Sequence, residues 1–208
     1  MKILNLFCGI GGNRELWGDE HQITAVEYNS KIAQAYNEKF PNDMVIITDA
    51  WQYCLEHFHE FDIIWASPPC ITHSRLVCSN VGRKYNYNCD IDLKYPDLRL
   101  YSLIIFLSKN FRGNWIVENV IPYYDPLIKP TCIRGRHYYW SNIPIPSRSQ
   151  KSMTKDFRVD PGIRHNGIKN KAMMRNTLLA NKVNPLEGKV LLDYLLNMPQ
   201  KQIEVFLQ

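Results

Sequence analysis

The chain has no uninterrupted apolar run approaching the ~18–20 residues that a bilayer span requires. Its start, Met1-Lys2-Ile3-Leu4-Asn5, enters a strand-like run without the regions of a signal peptide. A cytoplasmic location with no membrane partner is therefore expected. The cysteines Cys8, Cys54, Cys70, Cys78, Cys89 and Cys132 lack paired close spacings. That excludes a disulfide framework and a zinc site as readings, and no metal is expected. Internal repeats and low-complexity tracts are absent as well. What remains is an ordinary globular composition, 45% hydrophobic and 22% charged over 208 residues, enough for one domain with a real core.

The net charge of +5 is modest, but it is unevenly placed. Between Arg148 and Arg175 eight Lys and Arg stand against Asp156 and Asp160, which concentrates the positive charge there and leaves the remainder near neutral. A basic stretch rich in Ser, Asn and Gly, with little apolar periodicity, reads as a surface segment facing a polyanion, or as a solvated loop. Arg158, Arg164 and Lys169 are its candidate phosphate contacts.

Short apolar runs alternate with helical patterns. Strands are expected at Ile3–Phe7, Ile23–Val26, Met44–Ile47, Asp62–Ala66, Trp115–Val117 and His137–Trp140. Helices are expected at Asn29–Phe40, burying Ile32, Ala33, Ala35 and Tyr36, at Trp51–His57, and at Pro96–Asn110. In the last, Leu100, Leu103, Ile104 and Leu107 recur at helical spacing. This alternation predicts an α/β domain with a mainly parallel sheet and helices on both faces. Ligands in such sheets gather at the carboxyl ends of the strands, and the unusual residues fall there: Gly9, Gly11 and Gly12, Glu27, Asp49, Pro68-Pro69-Cys70, and Glu118-Asn119.

The glycines let backbone approach a ligand closely, and an acid such as Glu27 can accept from both hydroxyls of a ribose. Gly-Ile-Gly-Gly differs from the Gly-x-Gly-x-x-Gly of dinucleotide binders, so an adenosine-bearing ligand without pyrophosphate fits better, with Asp49 placed for the adenine amino group. A plain turn and two solvated acids are the alternative. Two prolines stiffen the strand exit before Cys70, which makes Cys70 a candidate nucleophile, although such a cysteine is more commonly structural. Glu118 adds a carboxyl group, and Arg134 and Arg136 add two cations.

Together these residues resemble the DNA cytosine carbon-5 methyltransferase family. Leu6-Phe7-Cys8-Gly9-Ile10-Gly11-Gly12 resembles its cofactor motif, and Pro69-Cys70, with Ser74 four positions on, its nucleophile motif. Glu118-Asn119-Val120 and Cys132-x-Arg134-x-Arg136 follow, the latter with cysteine in place of glutamine. Asp97-Leu98-Arg99 resembles the start of the family's next helix, and Ala180-Asn181-Lys182-Val183-Asn184-Pro185 the motif that closes the cofactor site. The motifs occur in family order, and short phage-like members are the most similar.

The resemblance implies a Rossmann-like class I methyltransferase domain that uses S-adenosyl-L-methionine. Phe7, Gly9, Ile10, Gly11, Gly12, Glu27, Tyr28, Asp49, Ala50, Pro68, Asn181 and Val183 would hold the cofactor. Cys70 would add to carbon-6 of cytosine, Glu118 would engage ring nitrogen 3 and the exocyclic amine, and Arg136, together with Arg134, would orient Glu118 and the pyrimidine oxygen. DNA is the implied partner, with the target base flipped from the stack. The stretch Ile71–Tyr95, carrying Arg75, Arg83 and Lys84 beside Ser74, would close over it.

Some positions depart from the family. Ile71 replaces a glutamine, and Ser67-Pro68 precede Pro69-Cys70. Ser-Pro-Pro is also similar to adenine amino-methyltransferases, but those carry an aromatic where Cys70 stands. The chain divides as residues 1–146, catalytic; 147–178, a reduced basic recognition segment; and 179–208, a segment returning to the catalytic domain. So small a recognition segment has room for phosphate contacts and little for reading many bases. RNA or a free cytosine nucleotide as substrate, and a non-catalytic nucleic-acid-binding module, stay open as alternatives.

Overall fold

The computed structural model describes residues 1–75, 95–148 and 183–198. Seven strands form one sheet: β1 (Lys2–Leu6), β2 (Gln22–Glu27), β3 (Met44–Ile47), β4 (Ile63–Ala66), β5 (Asn114–Val120), β6 (Cys132–Arg134) and β7 (His137–Ser141). Their order is β3-β2-β1-β4-β5-β7-β6. The first five run parallel, while β7 is antiparallel to both its neighbours. Among the described residues four helices accompany them: α1 (Ser30–Lys39), α2 (Ala50–His57), α3 (Arg99–Asn110) and α4 (Pro185–Asn197). A short 3-10 turn spans Arg14–Leu16. The expected α/β class and mainly parallel sheet are what is observed.

Period-two alternation along the buried strands assigns residues to faces. Leu4, Leu6, Ile64, Ala66 and Val117 point to one face, where α2 and α3 cover them with Cys54, Leu100, Leu103, Ile104 and Leu107. Ile3, Ile63, Trp65 and Ile116 point to the other, against Trp17 and the α4 residues Leu191, Leu192 and Leu195. Three of the helix starts have a plain physical cause. Asn29 Oδ1 accepts from the Lys31 and Ile32 amides, Asp49 Oδ1 from Trp51 and Gln52, and Asn184 Oδ1 from Leu186 and Glu187.

Three expectations need correction. Ala35 is exposed, because α1 lies at the sheet flank and buries only the stripe of Ala33 and Tyr36. α3 starts at Arg99 rather than Pro96: the Asp97 carboxylate takes the Arg99 N–H, closing a turn ahead of the helix. β6 and α4 were not expected as elements at all. β6 is a three-residue strand, and α4 docks back on the first loop, where Trp17 Nε1 donates to the Gly188 carbonyl at 3.0 Å. A Cβ at Gly188 would stand 2.3 Å from the Asn13 carbonyl oxygen, so this crossing requires glycine.

Candidate active site

The carboxyl ends of β1, β2, β4 and β5 surround a cavity of about 520 Å³, a size suited to a small-molecule ligand. One side is built by the loop after β1. Phe7, Gly9 and Gly11 all adopt positive φ (55°, 53° and 74°), which turns the chain sharply off the sheet. The two glycines serve different ends. At Gly11 a Cβ would meet Phe40 and Tyr36 rings, the nearest atom at 2.3 Å, so Gly11 is a packing position. At Gly9 a Cβ would meet nothing within 4 Å, and Gly9 lines the cavity, so its open side faces that space.

Glu27, at the end of β2, accepts from the Gly9 amide at 3.2 Å and the Asn29 amide at 2.9 Å. It ties the glycine loop to the start of α1 and faces the same cavity. Asp49 caps α2 through a single oxygen, Oδ1, and also lines the cavity. Phe7 and Trp51 meet edge to face at 4.8 Å between ring centres, and Arg99 lies over the Trp51 ring at 5.1 Å. These rings make the apolar wall. Open backbone at Gly9, a carboxylate at Glu27 and this wall fit an adenosyl ligand. Of the residues expected to hold the cofactor, Phe7, Gly9, Ile10, Gly12, Glu27, Tyr28, Asp49, Ala50, Pro68 and Val183 line the cavity. Gly11 does not, and Asn181 lies outside the described residues.

The other side carries the thiol. Ser67 continues the sheet by donating its amide to the Leu6 carbonyl, and Pro68 and Pro69 then carry the chain to Cys70. The Cys70 carbonyl accepts from the amides of His73 and Ser74, both at 3.0 Å, which closes a tight turn behind the thiol. Asn119, buried on β5, donates its side-chain amide to the Pro68 carbonyl at 3.1 Å and accepts the Val120 amide. β5 thereby fixes the loop that presents Cys70. Thr72 Oγ1 accepts from the Asp97 amide, and the His73 carbonyl from the Tyr123 amide, so the chain beyond the thiol is anchored to two further segments. Ser74 forms a bridge with Pro122, and Arg75 donates from Nε to the Pro122 carbonyl.

Cys70 and Glu118 line the same cavity. Burial pushes the Cys70 thiol up, and the Glu118 charge pushes it further; both disfavour the thiolate. Glu118 is buried, and His137 Nε2 lies 3.4 Å from its Oε1. Cys8 also lines the cavity, but burial holds its thiol far above the usual range, which makes it inert.

Of the two arginines, Arg134 pairs away from the cavity. Arg134 is buried on the far edge, where Nε meets Glu187 at 2.6 Å and a terminal nitrogen donates to the Pro146 carbonyl. Those partners account for its charge, so it holds α4 rather than a substrate. Arg136 lies in the turn between β6 and β7. Among the described residues no ion pair or hydrogen bond joins it to Glu118; the imidazole of His137 occupies that place. Sequence reasoning missed His137, because a lone histidine after an arginine motif carries no spacing signal. It also missed the part Asn119 plays. Arg83, Lys84, Arg158, Arg164 and Lys169 lie outside the described residues.

The order β3-β2-β1-β4-β5-β7-β6 with an antiparallel β7 is that of the class I methyltransferase fold. Residues 1–81, which include Cys70, match the model of the C-5 cytosine-specific DNA methylase family, the family that the motifs resemble. No curated protein sequence matches. Among solved structures, a DNMT2 mutant from Spodoptera frugiperda is 21% identical with a TM-score of 0.47, over 82% of this chain and 61% of that one. A hypothetical protein from Thermus thermophilus is 14% identical with a TM-score of 0.45, over 67% and 73%. TehB from Haemophilus influenzae is 17% identical with a TM-score of 0.37, over 57% and 36%. The chain thus spans about three fifths of the length of the DNMT2 protein.

Proposed function

We propose that the protein transfers a methyl group from S-adenosyl-L-methionine to carbon-5 of cytosine in DNA, with Cys70 as the nucleophile. The observation that carries this reading is the meeting of Cys70, Glu118 and the Gly9–Glu27 wall around one cavity.

Gly9, Glu27, Asp49 and the Phe7–Trp51 wall would hold the cofactor, which supplies an electrophilic methyl group when bound. Carbon-5 of cytosine is a poor nucleophile. The Cys70 thiolate forms a bond from Sγ to carbon-6, and the electron pair of the carbon-5–carbon-6 double bond makes carbon-5 enamine-like. The proton released by the Cys70 thiol comes to lie between Glu118 and ring nitrogen 3, where it offsets the charge that accumulates there. Carbon-5 would bond to the methyl group as the methyl–sulfur bond breaks and its electron pair stays on sulfur. Loss of the carbon-5 proton to a base would then restore the double bond and expel Cys70 as thiolate. Because the Glu118 charge raises the Cys70 pKa, placing a proton between Glu118 and nitrogen 3 also favours the thiolate. Substrate entry and nucleophile activation are then one electrostatic event.

The family match and the basic stretch from Arg148 to Arg175 support a nucleic acid as substrate, and DNA is the reading adopted. Tritiated methyl transfer, run in parallel on duplex DNA, RNA and dCMP, tests it. Label in duplex DNA well above the other two is expected. Label confined to RNA or dCMP would replace the substrate, and no label in any of them would remove the activity.

A further inference from the structure

We propose that His137 is a positioning residue that holds the Glu118 carboxylate and tempers its charge on Cys70. The inference rests on the methyl-transfer reading for its consequence in turnover, and on geometry alone for the pairing.

Antiparallel register sets the pairing. Val120 faces His137 across β5 and β7, and Glu118 faces Tyr139. Glu118 and His137 are thus diagonal neighbours on one face, within reach of long side chains. Nε2 of His137 lies 3.4 Å from Oε1 of Glu118, whose side chain is only 8% exposed against 33% for His137. The imidazole stands edge-on to the Tyr139 ring, 6.5 Å between ring centres at 68°. His137 lines the cavity together with Cys70, Glu118 and Asn119.

A carboxylate this buried needs a partner or the thiol beside it stays protonated. The ionisable groups facing Glu118 are Cys70 from the loop after β4 and His137 and Tyr139 from β7. Cys70 and Tyr139 are both pushed up by burial first and by the Glu118 charge second, and they cannot neutralise it. Arg134, opposite His137 in the β6–β7 register, pairs with Glu187 instead. His137 is therefore the group placed to pair with Glu118 between turnovers and to fix the oxygen that meets the pyrimidine. Its action runs through Glu118, which a mutant cycle isolates.

The test is the alkylation rate of Cys70 by iodoacetamide, followed by peptide mass, in wild type, His137→Leu, Glu118→Gln and the double variant. His137→Leu is expected to slow Cys70 alkylation about 3- to 30-fold, the range of a contacting pair. Glu118→Gln should speed it, and adding His137→Leu to Glu118→Gln should change nothing further. His137→Gln, whose amide can donate to Glu118, should restore both alkylation and kcat, with KM for DNA the same as in wild type. A His137→Leu effect of equal size in both backgrounds, or none in either, would overturn the proposal. Should His137→Leu melt at lowered temperature, the same cycle with His137→Phe, which keeps a ring beside Tyr139 but cannot donate to Glu118, is read by the same two outcomes. A cycle that behaves as expected in a protein that transfers no methyl group would leave the pairing standing and remove the methyl-transfer reading.

Discussion

Glu118 and Glu187 are both buried carboxylates, and the molecule treats them in opposite ways. Glu187, in the first turn of α4, meets Arg134 at 2.6 Å and Arg148 at 3.5 Å. Its charge is saturated by guanidinium groups, and its work is to hold α4 and the chain near Arg148 onto the far edge of the sheet. Glu118 meets an imidazole at 3.4 Å and opens on a cavity beside a thiol. A buried charge with full partners is a structural clamp. One with a partial partner and an open face keeps its remaining capacity for a ligand. The motif Cys132–Arg136 was expected to serve the second site, yet its buried arginine serves the first.

Breaking the clamp should give the largest effect on stability. Glu187→Ala leaves Arg134 buried without its carboxylate, a loss of about 3–5 kcal/mol for a broken buried pair. A thermal melt should show it as a fall of several degrees or more, while kcat of the folded fraction at saturating substrate stays near the wild-type value. A collapse of kcat at unchanged melting temperature would move Arg134 back to the chemistry.

Next comes the open site. Glu118→Gln should lower methyl transfer about 10²- to 10³-fold, the scale for losing one electrostatic contact to the reacting group. The same change should move the pH profile of Cys70 alkylation to lower pH. The sign follows from the cause: Glu118 raises the Cys70 pKa, so removing its charge lowers it. A profile displaced to higher pH would contradict the coupling.

The smallest effect belongs to the cofactor wall. Glu27→Ala removes a charged acceptor from the Gly9 and Asn29 amides and from the cavity. A loss of about 1.5–3 kcal/mol, roughly 10- to 150-fold in S-adenosyl-L-methionine affinity, is expected by calorimetry, with kcat at saturation little changed. An unaltered dissociation constant would make Glu27 a brace for the loop and nothing more.

The parallel strands were legible because each is a short apolar run bounded by turn residues, and α3 because Leu100, Leu103, Ile104 and Leu107 repeat at helical spacing. β6 was not, since three residues with Ile133 exposed carry no period. α4 had readable signals, Asn184 before Pro185 and the later leucines, but the resemblance to a closing motif lies in the residues ahead of it. At the site, the residues that end strands were readable: Cys70, Glu118 and Glu27 all line the cavity. Partners set by cross-strand register were not. Whether Arg134, Arg136 or His137 stands beside Glu118 depends on the tight turn at Gly135, φ 62°, which decides the side chain delivered to each face.

The central claim is that Cys70 bonds to carbon-6 of cytosine. It is tested most directly by incubating the protein with cofactor and a duplex carrying 5-fluorocytosine, whose carbon-5 cannot shed a proton. Intact mass under denaturing conditions then reports the adduct. The account predicts a stable protein–DNA adduct mapping to Cys70, absent in Cys70→Ala, which still binds S-adenosyl-L-methionine but transfers no methyl group. An adduct of equal yield in Cys70→Ala, or methyl transfer that survives the substitution, would contradict it.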